Sequence, residues 1–404
     1  MLCGGLVFVP MNRVVTGIDV GTYHVKVVIA EAADDPRQPP RILGTGYAES
    51  RGLKQGYVVS IPEAARSIAA AVAQASRAAR IPVKRAYVGL SGVGLDEAFA
   101  RGETVVERGD SEITDRDIPR AIEASRKALP PAATLNREVL HTIPLRFSVD
   151  GVGFLGASPI GTKGMRIAVE TLFITCMKKH MTDLVEAVEE AGVEVEDIVA
   201  SPIAASFVAL SKMQKRVGSM LVNIGSETTS LLVFEDTKPV SLKVFALGGS
   251  DVTNDLALAL KIAPEEAEAL KQGAVLNSPL PKKKIDDTIN RRLGELFKTI
   301  EAHLKRIGKS ELLPAGALLC GGGALTHSAP DVARATLKLP SRMATFSEAG
   351  VQPQIDNGVW AVAYGLTVWG FTAGEGIEPQ DTSTFGDIKD SAKHALRWLK
   401  KFLP

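Results

Sequence analysis

The chain has 404 residues, 47 basic against 46 acidic side chains and a net charge of +1, with 45% hydrophobic and 23% charged residues. At about 100–200 residues per domain this length implies two to four domains with ample core. The balanced charge argues against a nucleic-acid binder, and 5% aromatic residues offer no stacking surface for RNA. Cys3, Cys176 and Cys320 stand far apart and in no metal-ligand spacing, so neither a disulfide scaffold nor a zinc site is expected, and a reduced, cytosolic compartment is the simple reading. No apolar run approaches the ~18 residues that span a bilayer. Residues 1–10 are apolar without a basic flank, which argues against a secretory signal, and Met11 is a second candidate start. Residues 1–12 are therefore set aside as an extension.

In chain order, Val14–Val20 and Lys26–Glu31 read as a hairpin about Gly21-Thr22. A helix is predicted over Pro62–Ala79, where proline suits the first turn, and a strand over Arg85–Ser91. Ile113–Leu129 reads as a helix with Thr114 as N-cap and Asp115 and Asp117 in its first turn. A strand over Val139–Val149, a glycine-rich turn region over Gly151–Gly164 and a helix over Met181–Ala191 follow. Leu221–Asn223 and Leu231–Glu235 repeat the opening hairpin, Pro264–Gln272 and Asn290–Ile307 read as helices, and Ala317–Cys320 is a buried strand ending in three glycines. Strands alternating with helices predict an α/β architecture. After about Gly374 the chain becomes polar and rich in turn formers, as a linker would be.

One internal repeat organises this pattern. Gly17-Ile18-Asp19-Val20-Gly21-Thr22 and Val222-Asn223-Ile224-Gly225-Ser226 open similar strand–turn–strand units 204 residues apart. Two chance hairpins would look the same. Duplication instead predicts two similar lobes, each offering a glycine turn to one phosphate from opposite sides. A glycine turn lets backbone N–H groups approach an anion, and a neighbouring hydroxyl adds a donor. Asp19, Gly21, Thr22 and Lys26 suit that task, with Asp19 placed to hold magnesium through water. Taken alone, a Gly-Thr hairpin is more often a structural turn. Gly248-Gly249 and Gly321-Gly322-Gly323 strengthen the case, because a glycine run after an apolar strand lets the backbone pass under a flat ligand. Three glycine sites in this order are similar to those of the two-lobed actin-like ATPases.

A closer resemblance lies in Ser50-Arg51-Gly52-Leu53-Lys54-Gln55-Gly56, His141-Thr142-Ile143-Pro144 with Val149-Asp150-Gly151, and Pro159-Ile160-Gly161 with Gly164. Gly248-Gly249 with Val252-Thr253-Asn254-Asp255, then Ala267-Glu268, Leu270-Lys271 and Gly273-Ala274, extend it. These segments resemble the bacterial cell-division protein FtsA, in order, from about Arg13 to Gly370. The resemblance implies a duplicated, ribonuclease H-like actin fold with an FtsA-type insertion. It places the first lobe at 13–82 and 165–194, the insertion at 83–164, the second lobe at 195–247 and 309–374, and its smaller subdomain at 248–308. It also implies an ATP and magnesium site. Asp19, Gly21, Thr22 and Lys26 would form the first phosphate loop, and Asn223, Gly225, Ser226 and Thr228, within 223–230, the second. Gly248 and Gly249 would lie beside the nucleotide, Glu268 and Lys271 near ribose and base, and Gly321, Gly322 and Gly323 at the adenosine.

The second loop departs from the family pattern. Asn223 replaces an aspartate and brings no charge to a metal's hydration shell, Ser230 stands where a second aspartate is usual, and Glu227 occupies a glycine position. At ~4 Å two like charges repel by roughly 4 kcal/mol at an effective dielectric of 20. Glu227 must therefore turn away, be neutralised, or weaken nucleotide binding. Slow or absent hydrolysis is expected, and no general base can be assigned.

In residues 391–404, apolar side chains at 392, 395, 396, 399, 402 and 403 fall on one helical face. Leu396, Leu399, Phe402 and Leu403 form that face, Trp398 borders it, and Lys393, Arg397, Lys400 and Lys401 oppose it. At about 1.5 Å per residue the helix is too short to span a bilayer but can lie in its surface and favour anionic lipid. A helix docked on its own domain is the plainer alternative, which the polar linker at 375–390 disfavours. Resemblance to FtsA then implies a peripheral protein on the cytoplasmic side of the membrane at the division site. It would polymerise head to tail, grip the C-terminal peptide of the ring protein FtsZ through 248–308, and meet downstream division proteins. A pilus-assembly adaptor of the PilM type and a small-molecule kinase of the same superfamily are the competing readings.

Overall fold

The computed structural model describes residues 13–373 apart from 34, 36–37, 108, 155–157, 274–280, 347–354 and 356–357. The N-terminal extension, the linker and the predicted terminal helix with Lys393, Leu396, Arg397, Trp398, Leu399, Lys400, Lys401, Phe402 and Leu403 lie outside the described residues. Among the described residues no helix is long and apolar enough to cross a membrane.

The first lobe opens with an antiparallel meander of β1 (Val14–Val20), β2 (His24–Glu31) and β3 (Arg41–Glu49). A short ribbon, β4 (Leu53–Lys54) and β5 (Tyr57–Val58), leads into α1 (Ile61–Ala79). α1 carries Pro62 in its first turn and turns alanine side chains inward, and the helix presses so closely on β3 that a Cβ at Gly46 would sit 2.1 Å from the Ala71 carbonyl oxygen. β6 (Arg85–Leu90) then joins β1 in parallel, with Asp19 opposite Gly89.

The chain leaves this sheet for an inserted one. β7 (Asp96–Val105), α2 (Asp117–Lys127), the one-turn α3 (Pro131–Thr134), β8 (Arg137–Val149), β9 (Val152–Gly153) and β10 (Arg166–Met177) form a sheet in the order β7-β10-β8-β9. Strand pairing draws the limits of this sheet at 96–177 rather than the expected 83–164, since β6 belongs to the first sheet and β10 pairs with both β7 and β8. The predicted helix over Ile113–Leu129 also starts later. Ile113 is tied into backbone bonds with Thr162 and Gly161, and Thr114 does not cap: its N–H and hydroxyl both donate to the Asp117 carboxylate at 2.8 Å. α4 (Lys178–Glu190) and β11 (Glu194–Ala200) return the chain to the first sheet, completing the order β11-β6-β1-β2-β3.

α5 (Ser201–Ala209) and α6 (Lys212–Val217) lead to the second lobe, where β12 (Ser219–Ile224), β13 (Thr229–Glu235) and β14 (Lys238–Phe245) repeat the meander. α7 (Gly249–Leu260), α8 (Pro264–Lys271) and α9 (Lys282–Arg306) form the helical part of this lobe. α9 starts eight residues before its predicted limit of Asn290, because its opening turn, from Lys282 to Lys284, is exposed and presents no apolar stripe. β15 (Ala317–Cys320), α10 (Ala329–Leu337), β16 (Ser341–Met343) and α11 (Ala361–Ala373) complete it. The second sheet runs β14-β13-β12-β15-β16, strand for strand the order of the first.

One hydrophobic core crosses from lobe to lobe. Ile18 and Val27 of the first sheet and Leu232 and Leu318 of the second belong to it, joined through Ile203, Ala204, Val362 and Leu366 of α5 and α11. Two glycines permit this. A Cβ at Gly17 would meet the Ala363 carbonyl oxygen at 2.3 Å, and one at Gly365 would meet that of Ala204 at 2.0 Å. The inserted sheet is tied to β14 as well: the Glu97 carboxylate accepts from the Leu242 N–H at 2.7 Å, and Lys243 pairs with Asp96 at 3.1 Å. Behind that contact, His303 of α9 hydrogen-bonds Ser241 and Arg306, both at 2.9 Å, and burial first, then Arg306, lowers its pKa to about 4.

Two predictions follow from this packing. Gly365→Val should destabilise the chain by about 2–3 kcal/mol, seen as a lowered calorimetric midpoint; an unchanged midpoint would contradict the close approach. His303 binds its proton more weakly folded than unfolded, so its contribution to stability is complete above pH 6.5 and declines as pH falls towards 4. Denaturant melts of His303→Gln across that window should therefore show a shallower acid decline than the parent, and parallel curves would count against it.

Candidate functional site

The two hairpins meet at a cavity of about 450 Å³ between the lobes. Asp19, Gly21, Thr22 and Lys26 line it from the first lobe, and Asn223, Gly225, Ser226 and Thr228 face them from the second. Gly249, Glu268, Lys271 and Gly321–Gly323 complete the far wall. Gly248 is the exception. Its N–H donates to Asp251 at 2.7 Å, and a Cβ there would meet the Ser226 carbonyl oxygen at 2.3 Å, so it lies beneath the second turn and not in the wall.

Register explains the first turn. Asp19 pairs with Lys26 across β1 and β2, and their side chains form an ion pair at 3.1 Å. Burial, then the neighbouring Lys26, lowers the pKa of His24, so its ring is neutral at pH 7. In the second turn Asn223 pairs with Ser230 across β12 and β13. The offset of 204 residues thus maps Asp19 to Asn223 and Lys26 to Ser230, replacing an ion pair by two neutral groups. The second turn is held by backbone: Gly249 N–H donates to Gly225 at 2.9 Å, Ser250 N–H to Ser226 at 2.8 Å, and the hydroxyls of Ser226 and Ser250 meet at 2.6 Å.

Glu227 does not line the cavity. Its carboxylate turns out of the second loop and accepts the backbone N–H of Gln55, in the β4–β5 turn of the first lobe. Gln55 has a positive φ of 50°, and Gly56 beside it, at 86°, seats on Gly92, where a Cβ would fall 2.3 Å from the Gly92 Cα. Of the three outcomes open to this side chain, the structure takes the first: the charge points away from the cavity and bridges the two lobes.

At the far wall Lys271 donates to Glu268 at 2.6 Å, to Thr253 at 2.9 Å and to the Gly249 carbonyl at 3.1 Å. Burial alone would raise the Glu268 carboxyl, but the bonds from Lys271 and Thr253 outweigh it and hold its pKa below the usual range. Space demands two glycines of the triplet: Gly321 has φ +86° and a Cβ there would strike Asn223 Oδ1 at 2.3 Å, and one at Gly323 would meet Ile224 Cγ2 at 2.6 Å.

Sequence reasoning missed Ser91, Gly92, Ser201, Ser250 and Gly358, which also line the cavity. The repeat held the signal for two of them. Asp19 opposes Gly89 as Asn223 opposes Cys320, so Ser91-Gly92 is the counterpart of Gly322-Gly323. Asp19 and Glu268 are the carboxylates of the cavity wall among the described residues, and each is bound to a lysine.

Duplicated sheets, two glycine turns and an interlobe cleft define a two-lobed actin-like fold. Solved structures agree. The chain resembles a structure titled "PilM-PilN type IV pilus biogenesis complex" at TM-score 0.66 and 19% identity, covering 88% of this chain and 98% of that one. MreB5 of Spiroplasma citri, solved bound to AMPPNP, matches at TM-score 0.53 and 12% identity over 91% and 98%. Within this fold the insertion and second lobe are specific. The family model for "Cell division protein FtsA" matches residues 220–365, and that for the "SHS2 domain inserted in FTSA" matches 98–175. FtsA of Bacillus subtilis (strain 168) is 30% identical over 375 residues, 87% of this chain and 83% of that protein. FtsA of Pseudomonas aeruginosa is 28% identical over 384 residues, 90% of each. The chain belongs to the FtsA family of cell division proteins and has a role in division.

The Glu227–Gln55 bridge generates a direct test. Glu227→Ala should speed hydrogen exchange of the Gln55 amide about fivefold, equivalent to a hydrogen bond of ~1 kcal/mol, with little change in global stability. Unaltered exchange at Gln55 would show that the bridge does not form in solution.

Proposed function

We propose that this chain is an actin-like filament protein that tethers the FtsZ ring to the inner face of the cytoplasmic membrane, with ATP in the interlobe cavity. The observation that carries the reading is the convergence of both glycine turns, one from each lobe, on one cavity large enough for a mononucleotide. Thr22 and the first turn would take the terminal phosphates from one side, Ser226 and Thr228 from the other. The glycine triplet would pass under the adenine, and the Glu268–Lys271 pair would meet the ribose.

Magnesium fits the donor set in one way. The described residues hold no cluster of three or more His, Cys, Asp or Glu side chains. Asp19, with Asn223 neutral, would hold the ion through water while phosphate oxygens supply the rest, as magnesium prefers. The ion would neutralise phosphate charge there. Hydrolysis is slow in this reading, because both wall carboxylates are bound to lysines and neither is free to take a proton from water. The same fact disfavours a small-molecule kinase, which needs a free carboxylate as base for its substrate hydroxyl.

Binding of nucleotide by both lobes would set cleft closure, and closure would set head-to-tail assembly. The smaller subdomain at 248–308, built of α7, α8 and α9, would take the FtsZ C-terminal peptide, and α9 opens with Lys282, Lys283 and Lys284. The amphipathic segment 391–404 would hold the protein on anionic lipid at the division site, where downstream division proteins join it.

Co-sedimentation with vesicles containing anionic lipid tests the tether. The full chain should pellet with vesicles and carry FtsZ tail peptide with it, while a chain ending at residue 390 should leave both in the supernatant. Equal pelleting of the two chains would remove the terminal segment from the account.

A further inference from the structure

We infer that Ser201 is a contact for the phosphate end of the ligand, donating its hydroxyl to a terminal phosphate oxygen or to water held there. The inference rests on the reading that the cavity takes a nucleotide.

Ser201 is the first residue of α5, a helix of nine residues, and is 1% exposed. Its Oγ has no hydrogen-bond partner, and it is the one such buried side-chain atom, among the described residues, that belongs to the cavity wall. Leaving a buried hydroxyl unpaired costs about 1–3 kcal/mol, so an orphan in a wall of hydrogen-bonding groups calls for a ligand.

Its position says which part of the ligand. Gly89 is the neighbour of Asp19 in the parallel β1–β6 ladder, and partners in a ladder present their side chains to the same face. A Cβ at Gly89 would lie 2.9 Å from Ser201 Oγ. The bare glycine therefore leaves the hydroxyl over the floor of the cavity, next to Asp19 and the first turn. The start of α5 is fixed from behind, because the Ala200 N–H donates to His141 Nε2 at 3.0 Å. The positive end of the helix dipole favours an anion at this point. Lys26, the cation of the first turn, is already bound to Asp19, so Ser201 adds a donor that no other group of the floor satisfies.

The test compares the parent with Ser201→Ala by titrating fluorescent ATP, ADP and AMP, each with and without magnesium, beside thermal melts of the ligand-free proteins. Ser201→Ala should weaken ATP about 3–10-fold, the effect of one hydrogen bond, and leave AMP unchanged. Its ligand-free melting midpoint should be no lower than the parent's, because the variant removes an unpaired buried group. Weakening in both metal conditions assigns the contact to phosphate oxygen; weakening with magnesium alone assigns it to water around the ion. Unchanged ATP affinity, or a parallel loss for AMP, overturns the assignment while leaving nucleotide binding in place. A parent that binds none of the three overturns the nucleotide reading and this contact with it.

Discussion

The site depends on how closely α5 and α11 can lie against each other and against β1. Gly17 and Gly365 have no Cβ at the points where carbonyl oxygens of Ala363 and Ala204 pass, and any side chain there would force the helices apart. That approach lets one core reach from the first sheet to the second. With both sheets seated on the same pair of helices, the β1–β2 and β12–β13 turns open toward a common space. The cavity is the space left between two copies of one strand arrangement.

The copies are alike in backbone and unlike in charge. The first turn carries a part-buried Asp19–Lys26 ion pair; the second has Asn223 and Ser230 at the same register. Removing an ion pair at both partners together is far less disruptive than removing one, since a lone buried charge is what is expensive. The chain also places an added carboxylate on the second turn and satisfies it outside the cavity, on the Gln55 amide. The two departures have one result: the second turn presents backbone, hydroxyl and carboxamide groups, and no charge, to the cavity. Such a wall can meet phosphate without a carboxylate of its own, and the proposed slow turnover rests on that arrangement.

Much of this was legible because it is local. A glycine turn between two β-branched strands declares itself within a dozen residues, and its recurrence at a fixed offset announced the duplication. The strand Ala317–Cys320 and its glycines could be read in the same way. What could not be read was either buried on every side or remote. The run Ala361–Ala373 is apolar around its whole circumference and has no helical period to detect, although it joins the lobes. The Glu227–Gln55 contact spans 172 residues, so the sequence could show that Glu227 had to avoid phosphate but not where its charge would go. The late start of α2 has the same origin, because Ile113 is claimed by partners some fifty residues away, around Gly161 and Thr162.

The central claim is that one nucleotide engages both lobes at once. Hydrogen exchange of the full chain, with and without ATP and magnesium, tests it most directly. The account predicts slowed exchange in three separate segments, around Gly21–Thr22, Gly225–Thr228 and Gly321–Gly323. Protection confined to one lobe, or none in any segment, would contradict it.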